Sequence, residues 1–218
     1  MSEQLPLTFP HRPQFREVDF LPSSGNREAM DFLGRVAEWP GGRLALWGEA
    51  GAGKTHLLRI WAARTGAAVM DGAELQQERW PAGPLALDGA DAVPNEVALL
   101  HLLNAAEQAG HPVLLAARPP PARYPVRLPD LASRLRAILA VQVGPADEAF
   151  LADLLSRLLS ERQMVVSASM RAWLLRRLPR RPGSVVEAVA RLDGAALAAG
   201  SGITRALAAE VLGETFAV

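Results

Sequence analysis

The chain has 218 residues, enough to bury a substantial core as one large domain or two small ones. Half of it is apolar, but no apolar run approaches the roughly 18 residues a membrane-spanning helix needs. No basic and then apolar leader opens the N-terminus, and the absence of cysteine excludes disulfides and thiol-based metal or nucleophile chemistry. Lys+Arg 23 balances Asp+Glu 23, so there is no overall basic bias toward nucleic acid, and a cytoplasmic protein is expected.

Residues 1–25 read as an extended tail, with Pro6, Pro10, Pro13 and Pro22 and few periodic apolar positions. Asn26 to Glu38 reads as a helix, with Ala29, Phe32, Leu33, Val36 and Ala37 at helical spacing. Leu44 to Trp47 is a short buried strand, and a helix is expected from Thr55 to about Arg64. Further strands are expected at 67–70, 85–88, 113–117 and 138–143, with helices at 93–109 and 130–136 between them. Strands alternating with helices imply a parallel sheet covered on both faces. After Gly144-Pro145 only helical patterns remain, at about 147–162, 168–178, 184–199 and 204–212. The expected organisation is a tail (1–25), an α/β domain (26–144) and a small all-helical domain (145–218).

Between the first strand and its helix lies Gly48-Glu49-Ala50-Gly51-Ala52-Gly53-Lys54-Thr55, a complete G-x-x-x-x-G-K-[ST] sequence. Lys54 is the only lysine, and the other 22 basic side chains are arginines. A compact ammonium on a flexible stem fits over a ring of backbone N–H groups where a planar guanidinium does not. The strand–loop–helix order is the context a phosphate loop requires, and a chance Gly-rich turn is the alternative. The loop glycines and alanines with Lys54, Thr55 and His56 are expected to surround the phosphates of ADP or ATP, with the Thr55 hydroxyl on Mg²⁺.

Asp88 closes an apolar strand about thirty residues after the loop. It is placed to hold Mg²⁺ through water, or else to open a turn as strand-end aspartates often do. A hydrolytic site of this kind carries a second acid next to it, but the next residue is Gly89, and Asp91 stands three residues on. The fourth strand, Val113 to Ala117, ends in Arg118 without Asn, Thr, Ser or Asp. Both features suggest a site that holds nucleotide but turns it over weakly. Arg134 reads from spacing alone as a solvated helix arginine following an Asp130 cap. An arginine before the last strand can also reach a neighbour's γ-phosphate. Arg180 and Arg181, at the start of a helix in the last domain, either contact the β/γ-phosphates or solvate a turn. In the tail, Gln4-Leu5-Pro6-Leu7-Thr8-Phe9 has the form of an extended peptide that docks in a hydrophobic groove, or of a strand packing on the body.

Together these pieces resemble the Hda family, DnaA-related members of the AAA+ superfamily that regulate bacterial replication initiation. The resemblance rests on Gln4–Phe9, Gly48–His56, Asp88, Arg118-Pro119-Pro120 and, most specifically, Leu128-Pro129-Asp130-Leu131-Ala132-Ser133-Arg134-Leu135. It implies an AAA+ P-loop NTPase domain with a five-stranded parallel sheet, followed by a helical lid. It implies ADP or ATP with Mg²⁺ as ligands, held by Gly48, Ala50, Gly51, Ala52, Gly53, Lys54, Thr55, His56 and Arg181, with Thr55 and, through water, Asp88 on the metal. Arg134 becomes an arginine finger acting in trans on ATP held by DnaA. Gln4, Leu5, Leu7 and Phe9 become a motif for the DNA polymerase sliding clamp. DNA is then met indirectly, through the clamp, no membrane is involved, and a homo-oligomer is possible. The implied role is negative regulation of replication initiation with weak intrinsic ATPase activity. The competing expectation is a self-sufficient DnaA-like or helicase-loader-like ATPase acting on DNA. The family's lid arginine aligns near Gly183 rather than with Arg180 or Arg181.

Overall fold

A computed structural model describes residues 23–76, 81–200 and 202–213. The tail up to residue 22, with Gln4, Leu5, Leu7 and Phe9, lies outside the described residues. The described chain forms two compact units, divided between Ala146 and Asp147.

The first unit is built on five parallel strands: β1 (Arg43–Trp47), β2 (Ala68–Asp71), β3 (Leu85–Asp88), β4 (Val113–Ala117) and β5 (Leu139–Gln142). Their order is β2-β3-β4-β1-β5. β1 and β4 are apolar almost throughout because both sheet faces are covered, yet they still sort their side chains with period two. Leu44, Leu46, Leu114 and Ala116 enter a core with Ala29 and Leu33 of α1 (Arg27–Leu33) and Leu57, Leu58 and Trp61 of α2 (Lys54–Thr65). Ala45, Val113, Leu115 and Ala117 enter the opposite core with Leu99, Leu102 and Leu103 of α3 (Glu96–Gln108) and Leu131 and Leu135 of α4 (Pro129–Ala137). The five-stranded parallel α/β architecture expected from the alternating pattern is the one observed.

Two element boundaries differ from the sequence expectation for local reasons. The helix expected over 26–38 stops at Leu33 and gives way to a 3₁₀ turn at Val36–Glu38. The Phe32 carbonyl accepts from the Arg35 N–H at 3.0 Å and from the Trp39 indole N–H at 2.8 Å, in place of the Val36 N–H that another helical turn needs. The helix expected from Val93 begins at Glu96, because the Asn95 side chain caps it by accepting from the Ala98 N–H at 3.1 Å. Pro94 disfavours helical backbone at Val93 before it.

The second unit contains α5 (Glu148–Glu161), α6 (Ala168–Arg177), α7 (Pro182–Ala199) and α8 (Arg205–Gly213). Asp147 and Ser167 cap α5 and α6 by accepting from Phe150 N–H and Met170 N–H. α7 packs against α5 and α8 through buried Val185, Ala188, Val189 and Leu192. Arg162 of the α5–α6 turn reaches Asp193 of α7 at 3.5 Å. Among the described residues no helix is long and apolar enough to cross a membrane.

One buried charge ties the first unit together at the start of β1. The Arg43 side chain is 8% exposed, and it donates to the Leu103 carbonyl at 3.2 Å and pairs with Glu107 at the end of α3. Arg134 of α4 donates to the same Glu107 carboxylate oxygen at 3.2 Å. Removing Glu107 therefore strands Arg43, whereas removing Arg134 leaves the buried pair intact. Glu107→Ala is expected to cost about 2 kcal/mol of stability, against under about 1 kcal/mol for Arg134→Ala. Paired urea unfolding curves measure both, and equal losses would contradict this assignment of roles.

Candidate nucleotide site

The Gly48–Thr55 loop joins β1 to α2 at the carboxyl edge of the sheet. Its shape is imposed by glycine. Gly48 has φ +152°, and a Cβ there would collide with the carbonyl oxygen of Val143. Gly51 and Gly53 also hold positive φ, at +78° and +100°. The turn delivers Lys54 to the first position of α2, where the free N–H groups and the positive end of the helix dipole face the loop.

Lys54 is 9% exposed, and its ammonium donates to the carbonyls of Gly48 and Glu49, both at 2.8 Å. Burial holds its pKa below the ordinary lysine value. Asp88, Asp91 and Glu49 oppose that shift, and Arg118 adds to it. The four charged groups that act on Lys54 thus include the strand-end aspartate singled out in the sequence. Asp91, noted there only as standing three residues on, also contributes to the field at the ammonium.

Asp88 ends β3 in register with Ala116 of β4, one residue short of the Ala117–Trp47 pair that leads to the loop. Its carboxylate accepts from the Gly89 N–H at 3.1 Å. Gly89 has φ +68°, and its carbonyl lies so close to Gly72 that a Cβ on Gly72 would collide with it. The position after Asp88 is therefore a structural glycine, where a carboxylate-bearing residue would be strained. The exposed Thr55 hydroxyl and the Asp88 carboxylate are hard oxygen donors on adjoining parts of this edge, the set that suits Mg²⁺ when phosphate oxygens and water complete it. Ala50, Ala52 and His56 stand within or just after the loop.

Arg134 is not part of this cluster. It lies on α4, 32% exposed, paired with Glu107 at the end of the sheet where β1 begins. A second carboxylate, Asp130, is 4.0 Å from its Nε. α4 is itself fixed from α3: the Glu96 carboxylate accepts from Arg127 and Leu128 N–H at 2.8–2.9 Å. The Leu128 bond, then the Arg127 bond, holds the Glu96 pKa below the usual carboxylate value. Arg181 is exposed and belongs to the helical unit, where it precedes Pro182 at the start of α7. Neighbouring Arg180 is 3.9 Å from Glu148.

Sequence reasoning passed over two participants. Glu107 carries no local signal, although an arginine opening a buried strand, as Arg43 does, demands a distant acid. Arg118 was named only within Arg118-Pro119-Pro120, because the search at the end of β4 was for Asn, Thr, Ser or Asp.

No family model matches the sequence, and no curated protein matches it significantly. Solved structures do. Domain III of the replication initiation protein DnaA from Thermotoga maritima superposes with a TM-score of 0.78 at 18% identity, covering 96% of this chain and all of that one. AMPPCP-bound DnaA from Aquifex aeolicus gives 0.63 at 16% identity over 78% of this chain and 62% of that one. The RuvB Holliday junction branch migration motor of Thermotoga maritima gives 0.61 at 18% identity over 86% and 65%. The chain thus has the AAA+ fold, an α/β unit followed by helices. It spans about two thirds of the length of the Aquifex DnaA and RuvB chains, and these identities speak to fold alone.

The Lys54 shift has a pH consequence with a definite sign. The unfolded lysine titrates near 10.5, and the folded one titrates lower. Below the folded value the full cost of burying the charge is present. Between the two values the unfolded state binds more protons, so stability rises with pH. The ligand-free wild type is expected to gain stability relative to Lys54→Met as pH is raised from neutrality toward 10.5. Thermal unfolding of both proteins across that range tests it, and parallel profiles would remove the argument.

Proposed function

We propose that this chain is a nucleotide-binding AAA+ regulator of replication initiation that activates ATP hydrolysis in DnaA rather than relying on its own. The observation that carries the reading is the pairing of a complete phosphate-loop geometry around Lys54 with a structural glycine after Asp88. The first grips phosphates, and the second withholds the neighbouring carboxylate that would orient an attacking water.

In this reading the loop backbone from Gly48 to Gly53 and the start of α2 hold the phosphates of ADP or ATP. Lys54 exchanges the carbonyls of Gly48 and Glu49 for phosphate oxygens, which offsets the cost of burying its charge. Thr55 and, through water, Asp88 hold Mg²⁺, which screens phosphate charge.

Arg134 is the group offered to the partner. It is partly exposed, and its one close hydrogen bond is to a carboxylate that is itself half exposed. Meeting a γ-phosphate in a partner's site replaces one anion with another at little desolvation cost. A guanidinium so placed stabilises transition-state charge and raises hydrolysis by ~10³–10⁵. The tail residues Gln4, Leu5, Leu7 and Phe9 dock on the sliding clamp, which brings Arg134 to DnaA on DNA by raising local concentration. AMPPCP-bound DnaA is among the similar structures, which supports the choice of ligand.

The test is ATP turnover by DnaA from the same source, with clamp loaded on DNA, with and without this protein. Wild type is expected to accelerate turnover at least about tenfold and Arg134→Ala to leave it at the basal rate. Gln4→Ala is expected to weaken clamp binding and raise the concentration needed for stimulation. Strong DNA-stimulated turnover by this chain alone, with no effect on DnaA, would establish the self-sufficient ATPase instead.

A further inference from the structure

The charges of the helical unit are not evenly spread. Between Glu161 and Glu187 the chain carries no acid, and its charged residues there are Arg162, Arg171, Arg176, Arg177, Arg180 and Arg181. The whole chain is formally neutral, so this run is a local excess of positive charge rather than a general bias. The fold spends the first two of these arginines on itself. Arg162 pairs with Asp193 of α7 at 3.5 Å, and Arg171 donates to the Ser156 hydroxyl of α5 at 3.3 Å.

The other arginines end α6 and fill the turn after it. α6 buries Met170 and Leu174, with Leu178 just beyond its end. Trp173, Arg176 and Arg177, spaced i, i+3 and i+4, are neighbours on the helix surface, and both arginines are exposed. Neither has a carboxylate within 4.0 Å among the described residues. Arg180 is 3.9 Å from Glu148, but both side chains are exposed, and such a pair binds weakly. A helix C-terminus favours cations, which accounts for the charge of Arg176 and Arg177. It does not account for the indole beside them or for two more arginines past the helix end. The Arg177 Cζ lies 4.5 Å from the centroid of the Trp173 ring. That contact holds the cation by its charge and leaves its N–H donors unspent.

We infer that this face of the helical unit binds nucleic acid directly. Arg176 and Arg177 grip the phosphodiester backbone, and the Trp173–Arg177 pair receives an unpaired base. The inference goes beyond the function proposed above, in which DNA is reached through the clamp, and it does not require that function. Guanidinium forks match phosphate oxygens, and aromatic rings stack with bases of any identity. Such binding is independent of sequence and falls steeply with salt. An anionic membrane matches this face less well, because it rewards apolar side chains that insert, and the ring here already faces a cation.

The experiment is fluorescence anisotropy of a labelled oligodeoxynucleotide, single-stranded and then as its duplex. Each is titrated with the full chain at several NaCl concentrations, without clamp. Wild type is expected to bind. The variant carrying both Arg176→Ala and Arg177→Ala is expected to bind about tenfold or more weakly, with the slope of log affinity against log salt reduced by about 1 to 2. Arg205→Ala, at an exposed arginine of α8 in the same unit, is expected to stay within about twofold of wild type. The substituted side chains are exposed, so unchanged thermal unfolding is expected and separates lost binding from lost fold. Tighter binding of the single strand is expected, and a preference for duplex would remove the base contact at Trp173. No binding by the wild type at low salt, or equal binding by the double variant, would overturn the inference. So would arginine-dependent binding to phosphatidylserine vesicles with none to either form of DNA.

Discussion

Three main chains come within glycine distance of each other beneath the phosphate loop, and the rest of the site depends on that approach. Gly48 faces the carbonyl of Val143, and Val143 N–H donates to Trp47 at 2.7 Å. Gly144 N–H donates to Gly25 at 2.7 Å, and a Cβ on Gly25 would lie 2.6 Å from the Pro145 carbonyl oxygen. Side chains at these positions would push apart the end of β1, the end of β5 and the segment before α1. With glycine, β1 can turn sharply at Gly48 and place Lys54 at the head of α2. The loop is thus set by packing from below as much as by the freedom of its own glycines.

The two buried cations of the α/β unit, Arg43 and Lys54, flank β1 at its two ends and are satisfied differently. Arg43 has a carboxylate and a carbonyl on one terminal nitrogen, and the carboxylate neutralises its charge although its buried Nε has no hydrogen-bond partner. Lys54 has two carbonyls and no carboxylate within 4.0 Å among the described residues. Carbonyl dipoles solvate an ammonium but do not neutralise it, so burial costs more at Lys54 than at Arg43. The pKa direction at Lys54 reflects that imbalance. A buried pair that is complete within the chain acts as structure. A buried charge that lacks its counterion is poised for an external anion.

Much of this was legible in the sequence because its determinants are local. β3 and β4 fall where short apolar runs bounded by turn residues placed them, and the phosphate loop is specified within eight consecutive residues. The end of α1 was not legible, because it depends on Trp39 reaching back seven residues to Phe32. Nor was the Arg43–Glu107–Arg134 cluster, whose members are brought together from β1, α3 and α4 by the fold. Arg118 was visible as a residue, but its effect at Lys54 depends on strand order. Only the placement of β4 between β3 and β1 puts it between the loop and Asp88. The tail motif was legible as a pattern and lies outside the described residues.

Glu107 links stability to the proposed action of Arg134. One carboxylate oxygen accepts from both arginines, but the two bonds differ in kind. Arg43 is buried and has no other carboxylate within 4.0 Å among the described residues, so its claim on Glu107 is nearly fixed. Arg134 is a third exposed and can exchange Glu107 for water or another anion at small cost. Glu107 thus anchors the start of β1 permanently while restraining Arg134 only loosely. A loose restraint lowers the entropy lost when the guanidinium meets a phosphate, because the side chain is already confined near the rim of α4. It also keeps the charge from sampling wrong partners. On this argument the same acid that stabilises the fold confines the arginine to which the proposed function assigns its action.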